Sequence, residues 1–531
     1  MSANNSPRGS FEEEAPLLSP TASEASIPPG FEAPQKKKKK PWIVLCALVF
    51  FLVAIIDIGS FLAEPPKTRV YEANLCLRYY QEHDASKIEA SGDVPESLCK
   101  VNEVQEKMAM IFGWQELWDS IPSMLLAVPY GTLADKYGRK WIFCLGLVGL
   151  QLNSIWVLVI CYFRSLPLQL TWLSSAFLII GGGPIVVTAI GITMVSDIVP
   201  PEKRTSIFLY LFASVLVAEL LAPLIAAELM KKGDWLPLLL ALGIQQVGMM
   251  IALFFPETLH LRDMPEPTDH DTPEAAPKAD IGHGFKAQIS HFKDAFRFLR
   301  RDAKLTLIIF TFLASRLARQ ALVLLLRYAS KRYNWTIQKA AYLLSFRAAT
   351  NLVALTVFIP LVNLVLLKLA RLSAHQADLW IARGSIILTT LSMLIMAAAG
   401  TPPLLILGLL VYNLGTGYGA AMRSISIHTV GGQASPDIGR MFAVIAVMES
   451  IGAFIAGPLL STAFQWGMSI GEPWIGMPFL VAGIIFVFVT MATFMISEKD
   501  QIVVPTQYTE VDSATSVSAS MSLEEARRPS V

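Results

Sequence analysis

Long apolar stretches alternate with short polar ones along this chain. A helix crosses the hydrocarbon of a bilayer with about 20 mostly apolar residues, because every backbone N–H and C=O must be satisfied inside the segment. Stretches that meet this test lie near 42–63, 109–130, 141–163, 172–196, 205–229, 235–255, 305–326, 340–366, 380–399, 403–428, 441–464 and 476–496. The pattern predicts an all-α membrane protein with twelve transmembrane helices. The longest break between spans on the linker side, 257–304, divides them into an N-terminal six-helix bundle over 42–256 and a C-terminal one over 305–496.

Charge placement orients this layout. Lys36 to Lys40 and Pro41 precede the first span with no small-residue cleavage site behind it, so that span reads as a retained helix. Lys and Arg in short loops favour the cytoplasm. Lys36 to Lys40, Lys136, Arg139, Lys140, Lys203, Arg204, Lys368, Arg371 and Arg440 fall on one side if twelve spans alternate. Lys231, Lys232, Lys331 and Arg332 fall on the other, a minority that leaves both termini expected in the cytoplasm. Residues 1–41 and 497–531 are rich in Ser, Pro, Thr and Glu and are expected to be disordered cytoplasmic tails. Glu13-Glu14-Ala15-Pro16-Leu17-Leu18 resembles an acidic dileucine sorting signal, or is a chance string in a low-complexity tail. Plasma membrane and vacuolar membrane both stay open. In the linker, Phe285, Ile289, Phe292, Phe296 and Leu299 share a helical face ringed by Lys and Arg, the pattern of a helix lying on a membrane surface.

Composition narrows the function. Of 531 residues 16% are charged, against about 25% in soluble domains, and the mean hydropathy is +0.51. A net charge of +1 supplies no basic field for a nucleic-acid backbone. No CxxC or His-x-x-x-His spacing offers a metal site, no cofactor motif is present, and no nucleophile-and-base set marks an enzyme. Cys46, Cys144 and Cys161 sit in apolar spans, which leaves Cys76 and Cys99, in the long loop after the first span, as the pair sharing an oxidising compartment. Their disulfide would close a 22-residue gap.

The two halves echo each other. Arg204 is followed by Ala218-x-x-x-Ala222-Pro223-x-x-Ala226-Ala227, and Arg440 by Ala453-x-x-x-Gly457-Pro458-x-x-Ser461-Thr462. The arginines lie 236 residues apart and the prolines 235. Small side chains let helices approach closely, and a proline removes an internal hydrogen bond. Pro223, Gly457 and Pro458 are therefore hinge candidates in a duplicated, rocking arrangement.

Gly131-Thr132-Leu133-Ala134-Asp135-Lys136-Tyr137-Gly138-Arg139-Lys140, at the inner end of span two, resembles the G-x-L-a-D-r-x-G-R-k signature of the major facilitator superfamily. Asp197 and Arg204 resemble that family's acidic-then-Arg pair, and Pro256-Glu257-Thr258 its PET turn. The long Cys-containing loop, Gly181-Gly182-Gly183-Pro184, and the segment Tyr328 to Trp335 resemble a fungal branch, distantly similar to proton-coupled folate carriers and tetracycline-type exporters. The resemblance implies the major facilitator fold, a monomer, and a latch of Gly131, Asp135, Gly138, Arg139, Asp197 and Arg204 that holds the inner side shut while the outer side is open. Gly131 and Gly138 are expected to allow the sharp inner turn. The Arg midway along span four and the glycines of span five found in proton-driven drug exporters have no counterpart here, so the direction of transport stays open.

Embedded charges are the remaining signal, since each costs about 2.5–3.5 kcal/mol on insertion scales and should face a cavity or a partner. Asp57 and Glu116 lie in the first half with Asp119, and Arg316, Arg319 and Arg347 lie at comparable depth in the second. That separation allows an outer gate of ion pairs, or an arginine-lined pocket, with Gln115, for a carboxylate-bearing solute. Glu219 leads the proton-coupling candidates, with Asp57, Glu116 and Glu449 behind it, and Arg423 is placed to neutralise Glu449. Trp114, Gln245, Gln246, Tyr412 and Asn413 are further lining candidates. The expected activity is secondary active transport of a small organic solute, such as an organic anion, by alternating access coupled to protons. A proton-driven multidrug exporter and a non-transporting nutrient sensor are the alternatives.

Overall fold

The structure is a computed structural model, and it describes residues 42–199, 203–259, 303–430 and 438–496. The two tails, the dileucine string, the amphipathic linker segment and the side chains of Arg204 and Arg440 lie outside the described residues. Eleven helical segments are long and apolar enough to cross a membrane. Span two, Asn102–Tyr137, is long enough as well, but Gln115, Glu116 and Asp119 lower its hydropathy. With it the chain has the twelve crossings that the apolar pattern predicts. Phe254, Leu369 and Phe488 are more than 60% exposed, as expected of side chains whose solvent is lipid rather than water.

Four spans differ from their predicted form, each for a local reason. Span one is one helix, Trp42–His83, that runs through Pro65 and Pro66 and 20 residues past the predicted end at residue 63. The chain between the first two spans is therefore largely helix. A pair of prolines reads as a terminator in sequence, yet packing of Val70, Tyr71, Leu75 and Leu77 in an apolar cluster with Val104, Met108 and Ile111 carries the helix onward. Span four is broken. Its first part, Leu168–Ile179, is a 3-10 helix, and its second, Gly183–Ile198, is α-helical with Pro184 in its first turn. Gly181, Gly182 and Gly183 between them have φ of +86°, +81° and +76°, a region open to glycine at little steric cost. A Cβ on Gly181 would collide with the backbone of Gly146 on span three. Span ten is broken at the corresponding place, between Pro402–Leu414 and Tyr418–Thr429, where Gly415 and Gly417 pack on Thr389 and Ser385 of span nine. The eighth span changes character midway: Ile337–Val353 is α-helical, followed by π-helical turns at 354–358 and 365–369 on either side of the segment that holds Pro360. Proline's missing N–H is a recognised cause of such widening.

The halves exchange equivalent contacts. Span two packs on span eleven, Ile438–Ile470, and span five, Arg204–Met230, packs on the α-helical part of span eight. At the first contact Gly113 lies against Gly457 and Ser461, and a Cβ on Gly457 would sit 2.8 Å from the Glu116 Cβ. At the second, the equivalent residues Ala222 and Ala226 are fully buried. The duplicated small-residue motif is thus the seam between bundles.

Two ends can be distinguished, the disulfide end and the signature end. Cys76 and Cys99 are bonded, with Cα atoms 5.2 Å apart. The bond holds the segment in which Glu96 and Lys100 reach the opposite bundle. Lys100 Nζ donates to Glu72 at 2.7 Å and to Ser330 Oγ of the C-terminal bundle at 2.7 Å. Glu96 Oε1 accepts from the Ile337 N–H at 2.6 Å. Lys331 Nζ donates to the Lys100 carbonyl at 2.5 Å and to Asn102 Oδ1 at 2.6 Å, and Asn102 Nδ2 donates to the Met468 carbonyl at 3.1 Å. Apolar packing agrees: the core of the C-terminal bundle takes in Ala109, Ala227 and Met230 at this end. The cluster at the signature end, from Leu45 through Ala134 and Ile142 to Phe255, contains no residue of the C-terminal bundle. Among the described residues the bundles are therefore joined at the disulfide end and separate at the signature end.

Replacing Cys76 with Ser should destabilise the closed disulfide end by about 3 kcal/mol on the chain-entropy relation for a loop of this length, read as a lower thermal midpoint of the detergent-purified chain; an unchanged midpoint contradicts this role. Gly457→Leu should lower stability by about 1–3 kcal/mol through overpacking at the seam, while Gly243→Leu, at a glycine with open space around it, should not. Equal midpoints for the two variants would show that the seam tolerates bulk.

Candidate functional site

The gap between the bundles is a cavity of about 1600 Å³. It runs from Lys67, Tyr71 and Phe112 near the closed disulfide end to Tyr210 and Arg423 toward the separated end. A pocket of this size, lined mostly by helix faces and a few converging charges, is the default place for a small molecule to bind.

The walls carry opposite charge. On the N-terminal bundle Asp57, Glu64, Glu116, Asp119 and Glu219 line the cavity with Lys67, a formal charge of −4. On the C-terminal bundle Arg316, Arg319, Arg327, Arg347 and Arg423 line it with Glu449, a formal charge of +4. Several of these groups satisfy one another. Glu449 of span eleven accepts from Arg316 at 2.9 Å and from Arg423 at 2.5 Å, binding spans seven and ten to eleven inside one bundle. Glu64 and Lys67 pair at 2.7 Å, one helical turn apart. Glu219 on span five pairs with Arg347 on span eight. Among the described residues this is the ion pair that links the two bundles within the cavity.

Other charges have no opposite charge within 4.0 Å among the described residues: Asp57, Glu116 and Asp119 on one wall, Arg319 and Arg327 on the other. Asp119 is held by neutral donors, Ser175 Oγ at 2.5 Å and Gln115 Nε2 at 2.8 Å. Gln115 also donates to Ser174, which ties span two to the 3-10 segment of span four. Arg327 is 3% exposed, with its guanidinium 4.3 Å from the centre of the Phe112 ring across the bundle boundary. A desolvated cation over an aromatic face gains up to about 2 kcal/mol or more.

Of the residues singled out in sequence, Asp57, Gln115, Glu116, Glu219, Arg316, Arg319, Arg347 and Glu449 all line this one cavity, as do Pro223, Gln245 and Tyr412. Gly457 lies on the seam instead, with Pro458 next to it in the same helix. Asn413 is buried and donates to the Arg347 carbonyl at 3.1 Å, so it supports span eight from behind. Trp114 lies off the cavity, 6.5 Å from the Trp172 ring. Arg316, one of the three arginines expected to line a solute pocket, is already occupied by Glu449, whereas Arg319 is exposed to the cavity. Sequence reading missed Glu64, Lys67 and Arg327, which lie just past the predicted ends of spans one and seven. The acid and base three residues apart at Glu64 and Lys67 were the available signal.

The signature residues form a separate cluster. Arg139 pairs with Asp197 at 2.5 Å and with Asp135 at 3.2 Å, and its guanidinium is almost fully buried. Glu257 accepts from the backbone N–H groups of Arg139 at 2.9 Å and Lys140 at 3.2 Å. Gly138 makes the turn, with φ of +106° and no room for a Cβ beside Glu257. Gly131 does not make it. It lies within the helix of span two, about two turns earlier, with open space where a side chain would be. Every described partner of Arg139 belongs to the N-terminal bundle, so in this separated state the cluster ties spans two, three and four to the chain after span six.

Comparison with known proteins agrees with this architecture. The model of the Major Facilitator Superfamily matches residues 109–457. The MFS efflux pump atnC of Emericella nidulans is 33% identical over 470 residues, covering 88% of this chain and 90% of that protein. The efflux pump ustT of Aspergillus flavus is 29% identical over 440 residues, 81% of this chain and 83% of that one. Among solved structures, the human organic anion transporter MFSD10 superposes with a TM-score of 0.55 at 17% identity, over 86% of this chain and all (100%) of that one. The nucleoside transporter NupG superposes with a TM-score of 0.56 at 13% identity, over 85% and 100%. At such identities these two show the fold alone. Family model and fungal relatives together identify the chain as a multi-pass membrane transporter that belongs to the Major Facilitator Superfamily.

Proposed function

We propose that the chain exports a small organic solute from the cytoplasm by alternating access, driven by proton entry, and works as a monomer in the plasma or vacuolar membrane. The observation that carries this reading is the Glu219–Arg347 pair across the bundle boundary. A carboxylate in a low-dielectric site holds a guanidinium only while ionised. Protonating Glu219 removes the attraction, so the bridge and the proton exclude each other. Proton arrival is thereby linked to parting of the bundles near the disulfide end.

The bias of Lys and Arg in the short loops supports a cytoplasmic signature end, and on that reading the described state, with Glu219 bridged to Arg347, is open to the cytoplasm. The printed names of the two fungal relatives, both efflux pumps, support the outward direction. Pro223 and Pro458 fall where bending would let the seam open. The Arg139 cluster serves as the latch. In the cytoplasm-open state it makes the N-terminal bundle rigid, and in the opposite state its exposed Asp135 is free to engage the C-terminal bundle.

Candidate solutes come from comparing metabolites of cells that lack and overproduce the chain. With such a solute, Glu219→Gln in proteoliposomes should abolish flux driven by a pH gradient, at least tenfold below the parent chain, with unchanged protein abundance. Normal gradient coupling in that variant removes the role assigned to Glu219.

A further inference from the structure

The walls of the cavity are equal and opposite in charge, −4 facing +4. An anion drawn to the arginine wall is therefore repelled by the carboxylate wall, and a cation meets the reverse. Neither gains from the cavity as a whole. A solute that carries both signs, separated by a neutral body, gains at each end.

The pairing pattern points the same way. Glu449 occupies Arg316 and Arg423, and Glu219 occupies Arg347. The cavity cations with no carboxylate within 4.0 Å among the described residues are Arg319 and Arg327. Arg319 is exposed to the cavity. Arg327 is 3% exposed and its Nη1 has no hydrogen-bond partner among the described residues. A buried unpaired donor is costly, and a guanidinium is shaped to receive a carboxylate with two parallel bonds. On the other wall Asp57, Glu116 and Asp119 are acceptors with no cation within 4.0 Å among the described residues, suited to an ammonium, although Arg327 lies near enough to Glu116 and Lys67 to Asp119 for their charges to interact.

We propose that the cavity is a seat for a dipolar solute of no net charge, with its anionic group on Arg319 and Arg327 and its cationic nitrogen on Asp57, Glu116 and Asp119. This rests on the reading of the cavity as the transport site and specifies its substrate class. Solutes built from amino acids, with a free amine and a free carboxylate, have this chemistry. The body between the two groups lies along apolar cavity residues such as Leu322 and Leu326. A plain organic anion, the class expected from the arginines alone, satisfies one wall and leaves the other unmet.

The test uses the full detergent-purified chain in equilibrium dialysis against a pool of synthetic dipeptides. Each sequence is present in four size-matched forms: free, N-acetylated, C-amidated, and blocked at both ends. Retained species are counted by mass spectrometry. The free, zwitterionic forms should be retained at least tenfold over the three others. Arg319→Gln should cut retention of zwitterions about tenfold and leave the amidated cations unchanged. Asp57→Asn should cut retention of zwitterions and leave the acetylated anions unchanged. Retention led by the anions, retention indifferent to charge, or no retention of any form overturns the proposal. A chain that retains zwitterions yet moves none of them in proteoliposomes upholds the seat and refutes the transport reading, so the two failures are separable.

Discussion

Glu219 and Arg347 meet across the boundary between two helical bundles, in a medium where a lone charge costs about 2.5–3.5 kcal/mol on insertion scales. Much of the remaining arrangement answers the same constraint. The cavity holds ten further charged side chains, and lipid offers none of them a counterion. Each must therefore face water, a partner of opposite sign, or a polar neighbour such as the Ser175 and Gln115 donors of Asp119. Placing acids on one bundle and bases on the other makes the two bodies attract, and the attraction weakens as protons or solute ions take the place of protein partners. On the proposed reading, the same charges that make the interior expensive also make its conformation responsive.

Rigid bodies are needed to turn that response into movement, and two devices supply them. Within the C-terminal bundle Glu449 clasps Arg316 and Arg423 from two other spans. Within the N-terminal bundle Arg139 is held by Asp135 and Asp197, with Glu257 capping the turn after Gly138. Between the bodies, the described contacts include the glycine- and alanine-lined seams, the hydrogen-bonded cover around Lys100 and Lys331, the Glu219–Arg347 pair and the Arg327–Phe112 contact. Small residues make those seams close without interlocking them, because they present few side chains to withdraw when the seam opens. The breaks in spans four and ten stand at equivalent positions of the repeat, which places the irregular backbone symmetrically about the cavity.

Much of this was legible in the sequence for definite physical reasons. Hydrocarbon thickness sets the length of an apolar run, so the twelve crossings followed from hydropathy. The signature around Gly138 and Arg139, and the doubled small-residue motif before Pro223 and Pro458, located the turn and the seams. Embedded acids and bases pointed to one cavity because a membrane leaves them nowhere else to go. Three-dimensional facts were hidden. Pro65 and Pro66 read as the end of a helix that tertiary packing carries 17 residues beyond Pro66 to His83, and Glu64 and Lys67 were lost with it. Gly131 read as part of a turn because spacing does not reveal which glycine bends. Arg316 and Arg319 read alike as pocket cations, since a spacing of three residues on one helix does not show which of the two Glu449 will reach.

The central claim is that the bundles part at one end as they meet at the other, under control of a protonatable bridge. Spin labels at Glu103 and Lys339 report the disulfide end, and labels at Lys136 and Lys368 the signature end; all four side chains are exposed. Distances between them by pulsed electron resonance, in a background with Cys46, Cys144 and Cys161 replaced, test it most directly. Lowering pH should lengthen the Glu103–Lys339 distance and shorten the Lys136–Lys368 distance, and Glu219→Gln should hold both near their acid values at neutral pH. Distances that stay fixed with pH, or that change in the same direction at both ends, would contradict the account.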